Sequence, residues 1–153
     1  MGETAKPKLI GVNHVALEVG DIDEALAFYG RFFDFTLRGR GERSAFIDLG
    51  DQFLALTEGR TQPKDDARHF GLVVDDREGL RECLAEAGVE IVTEKRLDFL
   101  DPWGNRIEIV PYETIQFLKA RPALERLGAG GLRKTDDAKD ELAAKGIEPP
   151  MDA

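Results

Sequence analysis

The chain has 153 residues, enough for one domain with its own core, and its 42% hydrophobic and 33% charged residues are ordinary for a globular protein. A net charge of −9, with no long run of Lys and Arg, disfavours nucleic acid and anionic membranes as partners. No apolar run is long enough to cross a membrane, the N-terminal segment lacks the apolar stretch of a secretory signal, and the single cysteine excludes an internal disulfide. We therefore expect a cytoplasmic protein.

The first structural unit covers about residues 8–58. Apolar side chains alternate with others over residues 14–19, which predicts a strand. Asp21 has the position of a helix N-cap, and apolar residues spaced by three and four follow it over 22–33. Three short strands, separated by glycine-containing turns, are predicted over 35–37, 44–49 and 53–57.

A polar linker leads into a second unit, about residues 67–112, with the same order of elements. A strand is predicted over 69–74, and a helix follows Asp76 and ends before Gly88. The apolar stripe of this helix comprises Leu80, Cys83, Leu84 and Ala87. Further strands are predicted near 90–93, 96–100 and 106–110. The repeated order predicts an α+β protein of two βαβββ modules.

Residues 113–153 do not continue the repeat. Their glycines and sparse apolar residues predict short helices over 115–120, 122–127 and 135–145. We therefore divide the chain into a domain of residues 1–112 and a helical C-terminal extension of residues 113–153.

Three residues are candidates for a metal site. The two histidines of the chain, His14 and His69, head the first strands of the two modules and have the parity of the strand face turned away from the helices. Glu108 lies between Ile107 and Ile109 and points the same way. A desolvated carboxylate without a partner is costly, and a cation removes that cost. Two imidazoles and one carboxylate suit one divalent transition metal, Fe, Mn, Zn or Ni, with positions left open for substrate.

Four motifs resemble the vicinal oxygen chelate superfamily, also called glyoxalase/bleomycin resistance/dioxygenase. They are the segments 13–17, 27–29, 69–72 and, most specifically, 99–108. The resemblance covers about residues 8–112. It implies an open, cup-shaped eight-stranded sheet around a metal, with His14, His69 and Glu108 at three of the four ligand positions of the family. It also implies a homodimer, without saying which chain supplies which ligand.

The fourth ligand position of glyoxalase I-like members corresponds to Ala55, which cannot bind a metal. Fosfomycin-resistance thiol transferases have three ligands, but their Ser/Gly-rich loop is longer than the segment 94–98 that stands here. The resemblance therefore favours a dioxygenase-like enzyme or a lyase/isomerase. Family dioxygenases commonly use a further histidine as acid/base. Both histidines of this chain are candidate metal ligands, so no histidine remains for that role. We assign no catalytic residue, and Glu18 and Tyr112 remain as candidate proton carriers.

We expect an enzyme whose divalent metal chelates vicinal oxygens of a small molecule. Small and apolar residues of the expected cup predict a partly apolar substrate; they are Ala16, Phe46, Phe53, Ala55, Gly71 and Phe99. The main alternative is a metal-free, small-molecule-sequestering protein of the bleomycin-resistance type. A purely structural module is a further alternative, and it leaves the two histidines and Glu108 without a role.

Overall fold

The computed structural model describes residues 5–149. The first module consists of β1 (His14–Val19), α1 (Ile22–Phe32), β2 (Leu37–Arg40), β3 (Ser44–Asp48) and β4 (Phe53–Glu58). The second consists of β5 (Phe70–Val74), α2 (Arg77–Glu86), β6 (Ile91–Thr93), β7 (Asp98–Leu100) and β8 (Arg106–Pro111). A 3-10 turn (Tyr112–Thr114), α3 (Arg121–Arg126) and α4 (Asp136–Ala144) follow.

Each module forms its own four-stranded sheet. The strand orders are β1-β4-β3-β2 and β5-β8-β7-β6. The first and last strands of each module pair in parallel, and the other pairs are antiparallel. The α+β class and the two βαβββ modules are therefore confirmed, with the eight strands divided equally between two sheets.

Both module helices begin at the aspartates that the sequence indicates. The carboxylate of Asp21 accepts a hydrogen bond from the backbone N of Glu24 at 2.9 Å, and Asp76 accepts one from Gly79 at 2.9 Å. These bonds satisfy backbone N–H groups that a helix start leaves unpaired. Helix α2 ends just before Gly88, whose φ of +69° is the left-handed conformation that favours glycine at this position. The predicted stripe of α2 is wrong at Cys83, which is exposed, whereas Leu80 and Leu84 are buried.

The helix-facing sides of the two sheets share one hydrophobic core. Its buried members come from both modules and include Leu17, Val19, Ile22, Tyr29, Leu54, Leu56, Leu84, Phe99, Ile107 and Ile109. The opposite faces of the sheets stay open: along β1 the residues alternate between buried on the core side and exposed on the other. The parity expected for His14 and for Glu108 is therefore correct.

A buried hydrogen-bond network joins the two modules beside this core. Tyr29 Oη donates to Asp101 Oδ2 at 2.8 Å, and Asn105 Nδ2 donates to the same oxygen at 2.7 Å. Asn105 Nδ2 also donates to the backbone oxygen of Glu18 in the first module, at 3.0 Å. Burial, together with the adjacent Asp101 carboxylate, raises the pKa of the Tyr29 phenol well above its ordinary value. The phenol therefore stays a hydrogen-bond donor at neutral pH.

The C-terminal extension packs against the turn between β3 and β4. Arg126 Nη2 donates to Asp48 Oδ2 at 2.7 Å, and Lys119 Nζ donates to the backbone oxygen of Leu49 at 2.6 Å. The hydrogen bond from Arg126 lowers the pKa of the Asp48 carboxyl. The boundary drawn between residues 1–112 and 113–153 stays a prediction.

The helix expected over residues 115–120 is wrong. After the 3-10 turn the chain has no regular structure until α3. Lys134 Nζ donates to the backbone oxygens of Tyr112 and Ile115, and the backbone N of Thr135 donates to the backbone oxygen of Glu113. In a helix over 115–120 the Ile115 carbonyl would accept from the backbone N of Lys119, and here it accepts from the Lys134 side chain instead.

None of the helices within residues 5–149 is long and apolar enough to cross a membrane.

Candidate metal centre

The open face of the second sheet carries two of the three predicted ligands side by side. His69 directly precedes β5, and the pairing of Gly71 with Glu108 in the parallel β5–β8 ladder brings the two side chains together. His69 Nε2 lies 3.3 Å from Glu108 Oε2. The side chains are 31% and 21% exposed, so a ligand from solution can reach both.

The hydrogen bonds of His69 determine which ring nitrogen faces Glu108 with a lone pair. His69 Nδ1 lies 2.8 Å from the backbone oxygen of Ala67, and a carbonyl oxygen can only accept. In the neutral ring Nδ1 therefore carries the proton, and Nε2 presents a lone pair to the Glu108 carboxylate. Two such electron-rich atoms 3.3 Å apart repel each other unless a proton or a metal ion lies between them.

The donor set fits a divalent metal. Bonds from imidazole nitrogen and carboxylate oxygen to transition metals are about 2.0–2.2 Å long, so one ion can bind both His69 Nε2 and Glu108 Oε2. The bond from His69 Nδ1 to Ala67 is the kind of outer contact that orients a metal-binding histidine.

The third predicted ligand lies elsewhere in the chain. His14 stacks on the ring of Phe53, with the centroids 4.7 Å apart, and its Nδ1 is 2.9 Å from Asn13 Oδ1. Within residues 5–149 no three His, Cys, Asp or Glu side chains come close enough to hold a metal ion. His14 lines one cavity and His69 another. One chain therefore brings together His69 and Glu108, and its His14 is separate from them.

The strand registers show why the first module has no counterpart of Glu108. Gly71 pairs with Glu108 in the second sheet, and the equivalent pair in the first sheet is Ala16 with Ala55. The residue at the fourth position is thus Ala55, as the sequence suggests. A methyl side chain offers no metal ligand there.

Phe99 is wrong as a cup-lining residue. It pairs with Ile107 and is fully buried in the core, on the opposite side of the sheet from Glu108. The residue that pairs with Glu108 is Asp98, which sequence analysis did not single out. Phe46 and Phe99 are not at equivalent positions of the two modules: Phe46 pairs with Ala55, whereas Asp98 pairs with Glu108, because the β7–β8 turn is one residue longer than the β3–β4 turn. A shift of one residue exchanges the faces of a strand.

Three of the other predicted substrate-binding residues line one of two cavities, and Phe46 and Ala55 line neither. Phe53 and Gly71 line a cavity of about 640 Å³, which also contains His14. Ala16 lines a cavity of about 290 Å³, which also contains His69. Phe46 packs edge-on against Phe53, with the ring centroids 5.9 Å apart, and Ala55 is 6% exposed.

The smaller cavity is rich in charge. Three guanidinium groups line it, from Arg60, Arg68 and Arg106, together with Glu18 and Asp65. Asp65 Oδ1 lies 3.5 Å from Arg60 Nη2 and 3.5 Å from Arg68 Nε.

The two candidate proton carriers lie in different places. Glu18 is exposed and lines the smaller cavity beside His69. Tyr112 is buried beneath the ammonium of Lys134, which lies 3.5 Å from its ring centroid, and it lines the larger cavity. The arrangement favours Glu18 over Tyr112 for chemistry at His69 and Glu108.

A family model described as the glyoxalase/bleomycin resistance protein/dioxygenase superfamily matches residues 11–109. The chain belongs to this superfamily. The matched region contains His14, His69 and Glu108, and it ends before the C-terminal extension. The family expected from the motifs is confirmed.

Two curated relatives are transferases. The chain is 27% identical over 113 residues to glutathione transferase FosA of Serratia marcescens, covering 66% of this chain and 80% of the relative. It is 26% identical over 116 residues to metallothiol transferase FosB of Bacillus licheniformis, covering 67% and 75%. The short segment 94–98, taken above as evidence against such transferases, therefore does not exclude relatedness to them.

A solved structure shares the fold. It is a mutant of the fosfomycin resistance protein FosX from Listeria monocytogenes, complexed with Mn(II) and 1S,2S-dihydroxypropylphosphonic acid. The TM-score is 0.57 at 20% identity, over 67% of this chain and 92% of that chain.

Proposed function

We propose that this protein is a divalent-metal-dependent enzyme that acts on a small anionic molecule, with the metal held by His69 and Glu108 of one chain and His14 of a second copy. The observation that carries the proposal is the 3.3 Å separation of His69 Nε2 and Glu108 Oε2 with His69 Nδ1 engaged by Ala67. In a metal-free binding protein of the bleomycin-resistance type the same pair would share a proton, so the metal content of the protein separates the two functions.

The need for a second copy follows from the position of His14. It is exposed on the open face of the first sheet, whereas His69 and Glu108 are on the open face of the second. The His14 Nδ1 contact with Asn13 Oδ1 leaves Nε2 as the nitrogen available to a metal. A homodimer that faces the first sheet of one chain with the second sheet of the other supplies two histidines and one glutamate at each site.

The reaction that we propose is addition of a thiol or of water to an electrophilic carbon of the substrate. A carbon–sulfur or carbon–oxygen bond forms, the bond from that carbon to a substrate oxygen breaks, and the proton of the nucleophile goes to that oxygen. FosA and FosB are named as transferases, which supports transfer chemistry, and the FosX complex contains Mn(II) and a phosphonate ligand in that relative. A divalent metal supplies Lewis-acid polarisation of substrate oxygens. The guanidinium of Arg68, which is 80% exposed, is placed to attract an anionic substrate group, whereas that of Arg106 is paired with the buried carboxylate of Asp98. Glu18 is placed to carry a proton. Dioxygenase chemistry is the second candidate, because Ala55 at the fourth position leaves a site of three ligands, which suits a dioxygenase-like enzyme as well.

The experiment is a metal analysis by plasma mass spectrometry on anaerobically purified protein. We expect about one equivalent of transition metal per wild-type chain and a loss of most of it in Glu108→Ala, His69→Ala and His14→Ala. The control is Glu86→Ala, an exposed carboxylate at the end of α2, which should retain the metal. Wild-type protein that stays empty after incubation with Mn, Fe, Zn and Ni would remove the basis of the proposal.

A mixed dimer tests whether the site is shared. His14→Ala and Glu108→Ala chains, carrying different tags, are co-expressed and purified as the heterodimer. A shared site leaves one of the two sites with all three ligands, so we expect about half an equivalent of metal per chain. Sites within single chains would both lack a ligand, and the heterodimer would be as empty as either parent.

A further inference from the structure

The chain has an apolar arm ahead of its first strand. Residues 5–13 form no helix or strand, and Leu9, Ile10 and Val12 are 103%, 93% and 63% exposed. Isolated exposed apolar side chains are common in monomeric proteins. Here three of the four consecutive residues 9–12 are apolar and exposed, and two of them have almost no contact with their own chain. Such a cluster is typical of a segment that binds a partner.

The same molecule has a cavity of suitable size and chemistry. The cavity of about 640 Å³ lies between the two modules and the C-terminal extension. Its walls are predominantly apolar and include Phe32, Leu54, Leu72, Phe117, Leu124 and Leu132. An unfilled apolar cavity forfeits packing contacts that an inserted side chain would restore.

The charges of the arm and the cavity are complementary. Lys6 and Lys8 flank the apolar pair on its N-terminal side. The cavity wall includes the exposed carboxylates Asp34 and Asp75, neither of which forms an ion pair within residues 5–149. Opposite charges of this kind set the orientation of a bound segment.

Val12, at the end of the arm, lines the cavity of its own chain, whereas Leu9 and Ile10 are exposed to solvent. Gln52 Nε2 donates to the backbone oxygen of Val12 at 2.9 Å, and the backbone N of Phe53 donates to that of Asn13 at 3.2 Å. These bonds hold residues 12–13 as a continuation of β1, so Leu9 and Ile10 project from the molecule. We propose that the arm of residues 6–12 inserts Leu9 and Ile10 into the cavity between the modules of a second copy. The cavity wall includes His14 but neither His69 nor Glu108, so the two tests below are made without added metal.

A disulfide experiment tests the insertion. All chains carry Cys83→Ser, which removes the exposed native thiol. One chain then carries Ile10→Cys, and a second carries Ala129→Cys on the cavity wall. We expect the equimolar mixture to give a cross-linked heterodimer under mild oxidation. The control replaces Ala129→Cys by Val92→Cys, which is 40% exposed on β6 and outside the cavity, and should give little product.

Sedimentation equilibrium gives an independent measurement. The double variant Leu9→Ser/Ile10→Ser removes two apolar side chains, and we expect it to raise the dimer dissociation constant about 100-fold. Val92→Ser should change it by less than about threefold. An unchanged dissociation constant in the double variant would overturn the proposal. So would a disulfide that forms within a single Ile10→Cys/Ala129→Cys chain at high dilution, because it would mean that the arm folds into its own cavity.

Discussion

The hydroxyl of Tyr29 should measurably stabilise the contact between the two modules. It donates a 2.8 Å hydrogen bond to Asp101, which is 4% exposed and lies in the turn between β7 and β8. The substitution Tyr29→Phe removes this donor and retains the aromatic ring, which packs against Phe28 and Phe33. Its effect on stability therefore reports on the hydrogen bond rather than on the core.

The magnitude follows from the other partners of Asp101. A hydrogen bond to a charged acceptor contributes about 1.5–3 kcal/mol. Asp101 keeps three other donors, the backbone N of Trp103 at 3.0 Å, the backbone N of Asn105 at 2.9 Å and Asn105 Nδ2 at 2.7 Å. The carboxylate is therefore not left unpaired, and we expect the lower end of the range. Tyr29→Phe should reduce the free energy of unfolding by about 1.5 kcal/mol, which lowers Tm by roughly 3–6 °C in a chain of this size.

Urea unfolding followed by circular dichroism measures the effect, with Tyr112→Phe as the matched control. Tyr112 is also buried, and its hydroxyl forms no hydrogen bond within residues 5–149, so its loss should cost less than about 0.5 kcal/mol. A double-mutant cycle with Asp101→Asn should give a coupling of about 1 kcal/mol. Equal effects of Tyr29→Phe and Tyr112→Phe, with no coupling to Asp101, would refute the reasoning.

The same contact predicts a dependence on alkaline pH. The pKa of Tyr29 is higher in the folded protein than in the unfolded chain, where it is about 10. The contribution of the hydroxyl is therefore complete below pH 10 and declines as the pH rises through the folded-state pKa. The difference in stability between wild type and Tyr29→Phe should accordingly narrow above pH 10.

Two further predictions test the structure away from the candidate site. Gly104 has φ +88°, and a Cβ at this position would lie 2.4 Å from the Cβ and 2.5 Å from the Cα of Lys64. Gly104→Ala should therefore lower the free energy of unfolding by about 2 kcal/mol or more. Gly59→Ala, at φ +112° with no atom within 4 Å, should cost less in the same urea assay, and equal losses would contradict the steric explanation. Burial lowers the pKa of the Lys134 ammonium to about 8 from 10.5. Between these pH values the unfolded chain binds a proton that the folded chain releases, so the folded state becomes more stable as the pH rises. The free energy of unfolding of wild type, relative to that of Lys134→Met, should therefore increase by up to about 3 kcal/mol from pH 8 to 10.5. A difference that does not change with pH would show that the ammonium is not desolvated.

Much of the candidate site is readable in the sequence because it depends on local rules. The alternation along β1 and β8 places His14 and Glu108 on the faces opposite the core, and the burial of both strands agrees with it. Asp21 and Asp76 mark the helix starts because their carboxylates bond to backbone groups three residues away. The similarity of the two modules indicates the repeat, and the motifs indicate the superfamily.

The sequence by itself thus determined the two modules, the faces of their strands and the residue types able to bind a metal. Tertiary structure decided which of these residues meet. Because the β7–β8 turn is one residue longer than the β3–β4 turn, Asp98 rather than Phe99 lies beside Glu108. The residue types alone do not predict this shift in register. Packing the helix-facing sides of both sheets into one core left the open faces, and with them His14 and the pair His69–Glu108, in separate places. Local periodicity fixes the side of a strand on which a residue lies, whereas the distance between two strands far apart in sequence depends on how their modules pack.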